Sequence, residues 1–414
     1  IVLYILFQIS VGYSNFEFSI YASLYYFHGL QLMIFCSIAL FINTLVKNKY
    51  MGMGIFGLLA IISMKPDLLG LEHPLTSIGF MPRVSFSEMS GFYNGAALYK
   101  HLSIYWTALA GILILFSFKI WNRGIVSSFI NKIKQLPLNW SIAQKISLSV
   151  LTVAFFTFGG VIFYNVNIDD EYVTFQETLN FKESYERKFK KYESLRRPTR
   201  TSIRTDVSIF PSERTYKVKA SQILKNSGDQ PLSQVFISER VALKQVSIKN
   251  AKRIMHDPYY GIHLFQFEVP LKPNDSVTFT YELTKTLKGF DDDMSIAENG
   301  TYINRSSNFE PILGYRSGIE ITNKPEREKR GLPELTKEET LDPHLGLDKF
   351  KFEKVNFETI ISTDQDQTAI SSGTLIKEWT ENNRNYFHYK SDKKIVPSAG
   401  YFSAQYEVRK SDYE

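Results

Sequence analysis

The sequence has one cysteine, Cys36, and that residue lies within an apolar run. A single thiol forms no intrachain disulfide and no cysteine-based metal site. We interpret Cys36 as a small buried apolar side chain. A strong charge of one sign is also lacking, because the formal net charge is +6 over 414 residues. This near balance argues against nucleic acid as a partner.

Motifs for several common chemistries are absent as well. No Walker A lysine loop occurs, so ATP would have to be bound by a separate subunit. No G-x-S-x-G nucleophile motif occurs either. None of the histidines is followed by Glu and no two are four residues apart, which excludes an HExxH zinc site within this sequence. The seven histidines are His28, His73, His101, His256, His263, His344 and His388.

Two weaker candidates remain. Asp291-Asp292-Asp293 carries carboxylates that suit calcium, although an acidic turn is the favoured interpretation. His256-Asp257 suggests acid–base chemistry, but it precedes a Pro-Tyr-Tyr turn, so we interpret His256 as a loop residue. The sequence therefore predicts no catalytic, cofactor-binding or metal-ligating residue.

What the sequence does contain is a change of character near Tyr164–Asp170. Before it, long apolar runs are separated by short basic connections. After it, polar and apolar residues alternate as in a soluble β protein. The two parts have formal net charges of +4 and +2. The pattern predicts a polytopic helical membrane domain at 1–170, followed by a folded domain held at the membrane.

Five apolar segments precede the change. A helix needs about 20 mostly apolar residues to cross the hydrocarbon core of a bilayer. Three segments meet that length, namely His28–Val46, His101–Trp121 and Gln144–Val166. Tyr50–Leu71 is a weaker span, because Lys65-Pro66-Asp67 interrupts it. Ile1–Tyr13 is half a span without the features of a signal peptide, so we expect the sequence to begin inside a helix of a longer protein.

Lysines and arginines in the short loops predict the orientation. Lys47 and Lys49 lie between the second and third segments. The loop between the fourth and fifth has four basic residues and no acidic one, and these are Arg123, Lys132, Lys134 and Lys145. Both loops are predicted to be cytoplasmic, which places residues after about 166 outside the cytoplasm. The aromatic 66–100 loop would then lie at the outer headgroups.

A cationic amphipathic segment follows the last span. Phe181, Tyr185, Phe189, Tyr192 and Leu195 recur at helical spacing, with eight basic residues on the other faces or just after. We divide the region into 171–204, a juxtamembrane helix with a linker, and 205–414. One interpretation lays this helix on anionic headgroups. The alternative packs its aromatic stripe on the following domain.

From Thr205 onward the apolar period is two, which is typical of strands with one buried face. The clearest run is Val277, Phe279, Tyr281 and Leu283. Later strands are predicted at Phe357–Ser362, Asn385–Lys390 and Tyr401–Val408, with a long loop at 323–347 that contains a short helix at Pro333–Thr340. Evenly spaced short strands favour an all-β fold, an antiparallel β-sandwich.

Several segments resemble one bacterial family, in which an ABC-2-type permease is fused to an M1 (gluzincin) aminopeptidase. HPLTSIGFMPRVSFSEMSGFYNG at 73–95 and the run at 102–116 are similar to its last membrane section. Four later segments are similar to the N-terminal β domain of the peptidase. They are TDVSIFPSERTYKVKASQILKNSGDQPLSQVFI (205–237), FQFEVPLKPNDSVTFTYELTKTLKGF (265–290), NGTYINRSSNFEPILGY (299–315) and SAGYFSAQYEV (398–408). In the second of these, Pro273-Asn-Asp resembles the turn of a hairpin.

The resemblance implies a multi-pass protein of the bacterial inner membrane. Residues 205–414 would be the accessory domain that orients a following zinc peptidase domain and forms one wall of its peptide cleft. The GxMEN motif of that family is missing, and Glu414 falls about where its catalytic domain would begin. No zinc or catalytic residue is therefore carried over, and this chain alone should be inactive.

Other functions stay open at this point. The implied partners are the lipid bilayer, a separate ABC ATPase subunit, and a peptide substrate bound through the downstream domain. Residues 1–166 form half of a transport path or only an anchor. A competing interpretation is a non-enzymatic transporter component whose sandwich binds a partner or an export substrate. A purely structural tether is a third.

Overall fold

The computed structural model describes residues 2–14, 16–87, 91–92, 95–121, 140–291, 293, 295–335 and 354–409. These residues form two compact units. The helical unit comprises Ile1–Phe175 together with Lys288–Asp292, and the β unit comprises Gln176–Leu287 and Asp293–Glu414. The division falls near the change of character in the sequence, except that 288–292 returns to the helical unit.

The helical unit contains five helices within its described residues. They are α1 (Val2–Ser10), α2 (Phe18–Leu45, with a π-helical turn at Tyr25–Gly29), α3 (Lys49–Met64), α4 (Ala96–Ile120) and α5 (Ile142–Asp169, ending in a π-helical turn at Asn165–Asp169). Two short strands, β1 (Phe86–Ser87) and β2 (Gly91–Phe92), pair in the loop before α4.

Three of these helices, α2, α4 and α5, are long and apolar enough to cross a membrane. Helix α2 begins at Phe18, ten residues before the predicted span. Its Cys36 is exposed, so the prediction of a buried side chain there is wrong. The weaker span is shorter than predicted, because α3 ends at Met64 and a 3₁₀ turn follows at Pro66–Leu69. Proline has no N–H for the helical ladder and disfavours helical geometry at the residue before it. Of the predicted basic loop, Arg123, Lys132 and Lys134 lie outside the described residues.

Helices α4 and α5 pack closely where small residues allow it. Gly111 of α4 faces Leu151, and Gly159 of α5 faces the ring of Tyr105. A Cβ atom at either glycine would lie 3.0 to 3.2 Å from those side chains. The start of α5 is capped by Ser141, whose hydroxyl accepts from the N–H of Gln144 in a capping box.

The β unit has fourteen strands within its described residues. They are β3 (Thr199–Phe210), β4 (Thr215–Lys225), β5 (Leu232–Ser238), β6 (Leu243–Ile248), β7 (Ala251–Asp257), β8 (Ile262–Leu271), β9 (Ser276–Thr286), β10 (Thr301–Asn304), β11 (Ile312–Leu313), β12 (Asn356–Asp364), β13 (Thr368–Ser371), β14 (Thr374–Glu381), β15 (Arg384–Lys390) and β16 (Gly400–Ala404). The first strand thus begins six residues before 205. The last predicted strand is confirmed only as far as Ala404.

The strands form three sheets, with the orders β14-β15-β12-β3-β4-β9-β6, β11-β5-β8-β7 and β10-β16-β13. All pairs are antiparallel except β12 with β3, which is parallel and corrects the expectation of antiparallel pairing throughout. A second correction concerns Pro273-Asn-Asp. The strands on either side of it, β8 and β9, belong to different sheets, so the turn connects two sheets and no hairpin forms.

The three sheets share one hydrophobic core, to which each contributes alternate residues. Phe279 of β9, Phe265 of β8 and Tyr401 of β16 are at most 2% exposed and belong to the same cluster. Along β9, Val277, Phe279 and the following alternate residues are buried, as the period of two predicts.

Charged groups are buried beside this core. Arg305 is fully buried and pairs with the carboxylate of Glu310, and it also donates to the carbonyl of Pro397. Glu310 Oε1 lies 3.2 Å from Arg200 Nε and accepts from Gln222 Nε2 at 2.9 Å. Burial lowers the pKa of the Arg305 guanidinium. A buried charge needs such partners, because its desolvation is otherwise uncompensated.

The amphipathic segment forms helix α6 (Phe175–Phe189), and from Gln176 onward it belongs to the β unit. Its Tyr185 and Phe189 are at most 1% exposed and pack with Phe236, Leu264 and Tyr315. This supports the second interpretation of the segment, in which the aromatic stripe packs on protein. The headgroup interpretation is corrected, since the stripe is covered and is not free to contact lipid.

Many of the basic residues of this segment are also paired within the β unit. Lys188 Nζ lies 2.5 Å from Asp257, and Lys190 Nζ lies 2.7 Å from Glu320. Arg187 pairs with Glu183 at 2.9 Å. These ion pairs neutralise positive charge that would otherwise be available to bind anionic lipid.

The loop at 323–347 contains a helix at a different place from the one predicted. Helix α7 (Lys324–Lys329) begins after Asn323, whose side chain caps it, while residues 333–335 are not helical and 336–340 lie outside the described residues. Arg327 of α7 holds Glu186 of α6 through two hydrogen bonds of 2.7 and 2.8 Å. This buried pair joins the loop to α6.

Candidate functional site

The most chemically distinctive cluster lies at the turn between β7 and β8. The antiparallel register places His256 of β7 opposite His263 of β8. The two rings stack almost in parallel, with centroids 4.5 Å apart and planes at 11°. Strand β7 ends one residue after His256, and Pro258-Tyr-Tyr-Gly261 then reverses the chain.

A third side chain reaches the pair from the neighbouring strand. Glu239 follows β5 directly, and its backbone N–H donates to the carbonyl of Gly261 at 2.7 Å. Its carboxylate Oε1 lies 2.5 Å from Nε2 of His263. Gly261 has φ of +64°, and a Cβ atom there would lie 3.0 Å from Cβ of Glu239. The turn therefore needs glycine both for its backbone geometry and for the approach of Glu239.

The three groups differ in exposure. His263 is 1% exposed, Glu239 is half-buried and His256 is exposed. Nδ1 of His263 is buried, and among the described residues it has no hydrogen-bond partner. Burial, followed by the neighbouring His263 and Arg253, lowers the pKa of His256. Asp257, the next residue, is held by Lys188 and stands apart from the cluster.

Together these groups could hold a cation. One ligand atom from each of Glu239, His256 and His263 lies within 4.8 Å of the other two. Two imidazoles and one carboxylate are ligands that zinc accepts. In the described part of the chain, only these three His, Cys, Asp or Glu side chains form a group close enough to share an ion.

Glu239 also lines an open groove of about 500 Å³. Arg240 and Arg316 line it, and Nε of Arg240 is buried without a hydrogen-bond partner among the described residues. Burial and the charge of Arg316 lower the pKa of Arg240. The remaining lining includes three aromatic residues and one more basic residue, Phe181, Tyr259, Tyr260 and Lys182. Such a surface suits an anionic group that also presents apolar area.

The sequence predicted none of these residues as a site. His256 was expected in a loop, and this is wrong, because it is the penultimate residue of β7. The seven-residue separation of the two histidines around a turn was a usable signal for their pairing. The position of Glu239 in this cluster could not be predicted from the sequence, because it depends on the pairing of β5 with β8. Of the acidic turn, Asp292 lies outside the described residues, and Asp293 accepts from the N–H of Ser295 at 2.9 Å.

The matches to known proteins come from the comparison with solved structures. No family model matches the sequence, and no curated protein matches it. Among solved structures, the M1 zinc metallopeptidase from Deinococcus radiodurans is similar, with 9% identity and a TM-score of 0.34 over 50% of this chain and 42% of that chain. A mutant two-domain M1 zinc metallopeptidase bound to L-tryptophan gives 11% identity and a TM-score of 0.31 over 50% and 43%.

This chain therefore spans less than half of the length of the solved structures that it resembles. Values this low carry no functional assignment.

Proposed function

We propose that this chain is a multi-pass protein of the bacterial inner membrane whose β unit is an extracytoplasmic β-sandwich. That sandwich serves as the accessory N-terminal domain of a membrane-anchored M1-type aminopeptidase. One observation carries the proposal. The four segments that resemble the peptidase family contribute strands to all three sheets of one β unit, and that unit follows a set of long apolar helices.

The membrane part of the proposal is supported by where the apolar side chains lie. Val153 and Phe156 of α5 are 65% and 70% exposed, and only 6% of the most apolar window of that helix is buried. An apolar surface of this extent is unfavourable in water. It is compatible with a bilayer, because a helix satisfies its own backbone hydrogen bonds.

The division of labour follows from what the chain contains. The sequence carries no HExxH, so the hydrolytic zinc and the peptide bond would be handled by a downstream domain. The β unit would orient that domain and form one wall of its cleft. The helical unit would supply an anchor or half of a transport path, and in the second case a separate ATPase subunit would be a partner.

The location can be tested by thiol labelling in whole cells. The single native thiol is removed by Cys36→Ser, and one cysteine is introduced at Asp229 in the β4–β5 turn or at Lys47 between α2 and α3. Both positions are exposed. With a membrane-impermeant maleimide and a permeabilised outer membrane, we expect labelling of Asp229→Cys before lysis and of Lys47→Cys only after it. The reverse pattern overturns the proposed orientation.

The peptidase role can be tested on the gene and on the protein. Reading the gene beyond the codon for Glu414 should reveal HExxH with a second Glu about 20 residues later. The full product should hydrolyse aminoacyl anilides, whereas residues 1–414 alone should not. A stop codon directly after Glu414 would exclude the fused peptidase and leave the non-enzymatic transporter component. Zinc-dependent hydrolysis by residues 1–414 would refute the accessory assignment.

A further inference from the structure

We propose that Glu239, His256 and His263 form a site for a divalent transition metal ion, with Zn²⁺ as the best fit. This site goes beyond the proposed function, because it lies in the β unit and is independent of any HExxH domain. It would exist whether or not a peptidase follows.

The three side chains converge from adjoining parts of one sheet. His256 and His263 lie on β7 and β8, Glu239 directly follows β5, and the backbone pairing of these strands fixes their positions. The backbone N–H of Glu239 also donates a hydrogen bond to the carbonyl of Gly261, which lies in the turn between the two histidines. Ligands on paired strands are held more rigidly than ligands on separate loops.

The distances between the ligand atoms are close to those of a zinc site. The three ligand atoms lie within 4.8 Å of one another, and Glu239 Oε1 lies 2.5 Å from His263 Nε2. Donors bound to one tetrahedral zinc are about 3.3 Å apart, given bonds of about 2.0 to 2.1 Å. The shortest separation in the cluster lies below this value and the upper limit of 4.8 Å lies above it. Rotation of side chains is therefore enough to bring the three ligand atoms to zinc-binding distances.

One of the two imidazoles must move for the ion to bind. A metal lies in the plane of each ring that binds it, so the parallel stack of the two imidazoles must open. His263 is enclosed, whereas His256 is exposed and is free to turn about its side-chain bonds. His256 would therefore rotate out of the stack and turn one ring nitrogen towards Glu239 and His263 Nε2 as the ion enters.

The ligand types then select the metal. Two imidazoles and one carboxylate suit zinc, whereas magnesium and calcium prefer oxygen ligands throughout. Three protein ligands leave the fourth position of a tetrahedral shell for water.

The test uses the full chain in detergent, purified through a tag without histidine and stripped of metal. Zn²⁺ is titrated against a chromophoric chelator, and Co²⁺ is followed by its visible absorption. We expect one equivalent of Zn²⁺ to bind and a tetrahedral Co²⁺ spectrum to appear. We also expect bound Zn²⁺ to raise the melting temperature of the β unit, because the ion binds only the folded state.

Three variants make the test specific. His256→Ala and Glu239→Gln should each weaken Zn²⁺ binding at least about tenfold, the smallest loss seen for removal of even an outer-shell partner. His388→Ala is the matched control, because His388 also pairs with a glutamate, Glu358 at 3.1 Å, but lies in no cluster of three. It should bind as the wild type does.

His256 is exposed, so its replacement is not expected to prevent folding, and the circular dichroism of each variant checks this. The proposal is overturned if the wild type binds no stoichiometric Zn²⁺. It is equally overturned if folded His256→Ala and Glu239→Gln bind as tightly as the wild type, or if His388→Ala loses as much affinity as they do.

Discussion

The two units handle apolar and charged side chains in opposite ways. In the β unit, large apolar groups such as Phe279 are enclosed, and charged groups such as Arg305 are enclosed with them, each with partners. In the helical unit, apolar side chains of α5 cover the outside, and its spans carry almost no charge. The same residue types thus have different consequences in the two units, because the solvent that each surface meets under the proposed function differs.

The largest effect should come from breaking the buried charge cluster of the β unit. Glu310→Ala leaves Arg305 and Arg200 without their shared carboxylate, which we expect to cost about 3 to 5 kcal/mol of unfolding free energy. Urea unfolding followed by the circular dichroism of the β-sheet measures it. Asp229→Ala is the control, because it removes an exposed partner of Arg196, and it should cost less than about 1 kcal/mol. Equal losses in the two variants would contradict the assigned role of burial.

One isoleucine in each unit tests the difference in burial between the two units. Ile361 is fully buried in the β unit, whereas Ile146 of α5 is 59% exposed. Ile361→Ala should destabilise the protein by about 3 kcal/mol, because it removes packed methyl groups and leaves a cavity. Ile146→Ala should leave the unfolding midpoint in detergent nearly unchanged. A large loss from Ile146→Ala would mean that this face of α5 packs against protein.

Replacing one glycine in each unit should change stability by a smaller amount and in opposite directions. Gly261→Ala adds a Cβ where φ is +64° and where Glu239 is 3.0 Å away, so a loss of about 1 to 2 kcal/mol is expected. Gly54→Ala lies in α3, and its added Cβ meets nothing within 4 Å. It should stabilise that helix by up to about 1 kcal/mol. Thermal unfolding of both variants checks the signs, and a stabilising Gly261→Ala would show that the turn can relax.

The smallest effect is a dependence on pH that belongs to the β unit. Hydrogen bonds from Arg330 and Arg187 lower the pKa of Glu183. The stability that this carboxylate contributes is complete above the ordinary pKa of 4.5, and it is lost as pH falls through the lowered folded value. Below about pH 4.5 the wild type should therefore lose melting temperature faster than Glu183→Gln does. Glu268→Gln, at an exposed position on β8, should follow the wild type.

Local patterns predicted a good part of this fold. The spans at His101–Trp121 and Gln144–Val166 follow from long runs of apolar residues, and β9 follows from strict alternation. These signals depend on neighbours within one element. The early end of α3 was also signalled locally, by Lys65-Pro66.

Pairing between distant elements could not be predicted in the same way. The alternation in β8 and β9 is equally compatible with a hairpin and with two separate sheets, and the turn chemistry of Pro273-Asn-Asp does not distinguish them. The burial of Tyr185 and Phe189 depended on which surface was near enough to cover them. Glu239 joined the histidines only through the register of β5 with β8. Each of these outcomes is decided by the completed sheets.

The parallel pairing of β3 with β12 has a consequence for how the chain is made. Their contacts join residues 154 positions apart, such as Thr205 and Thr359. At about 5 to 20 residues per second, ribosomes need roughly 8 to 30 seconds to supply that much chain. Throughout this interval the backbone N–H and C=O groups along one edge of β3 lack their partner strand and can pair with a strand of another chain. The nascent protein would therefore need protection at that edge, from a chaperone or from delayed release, until β12 has emerged.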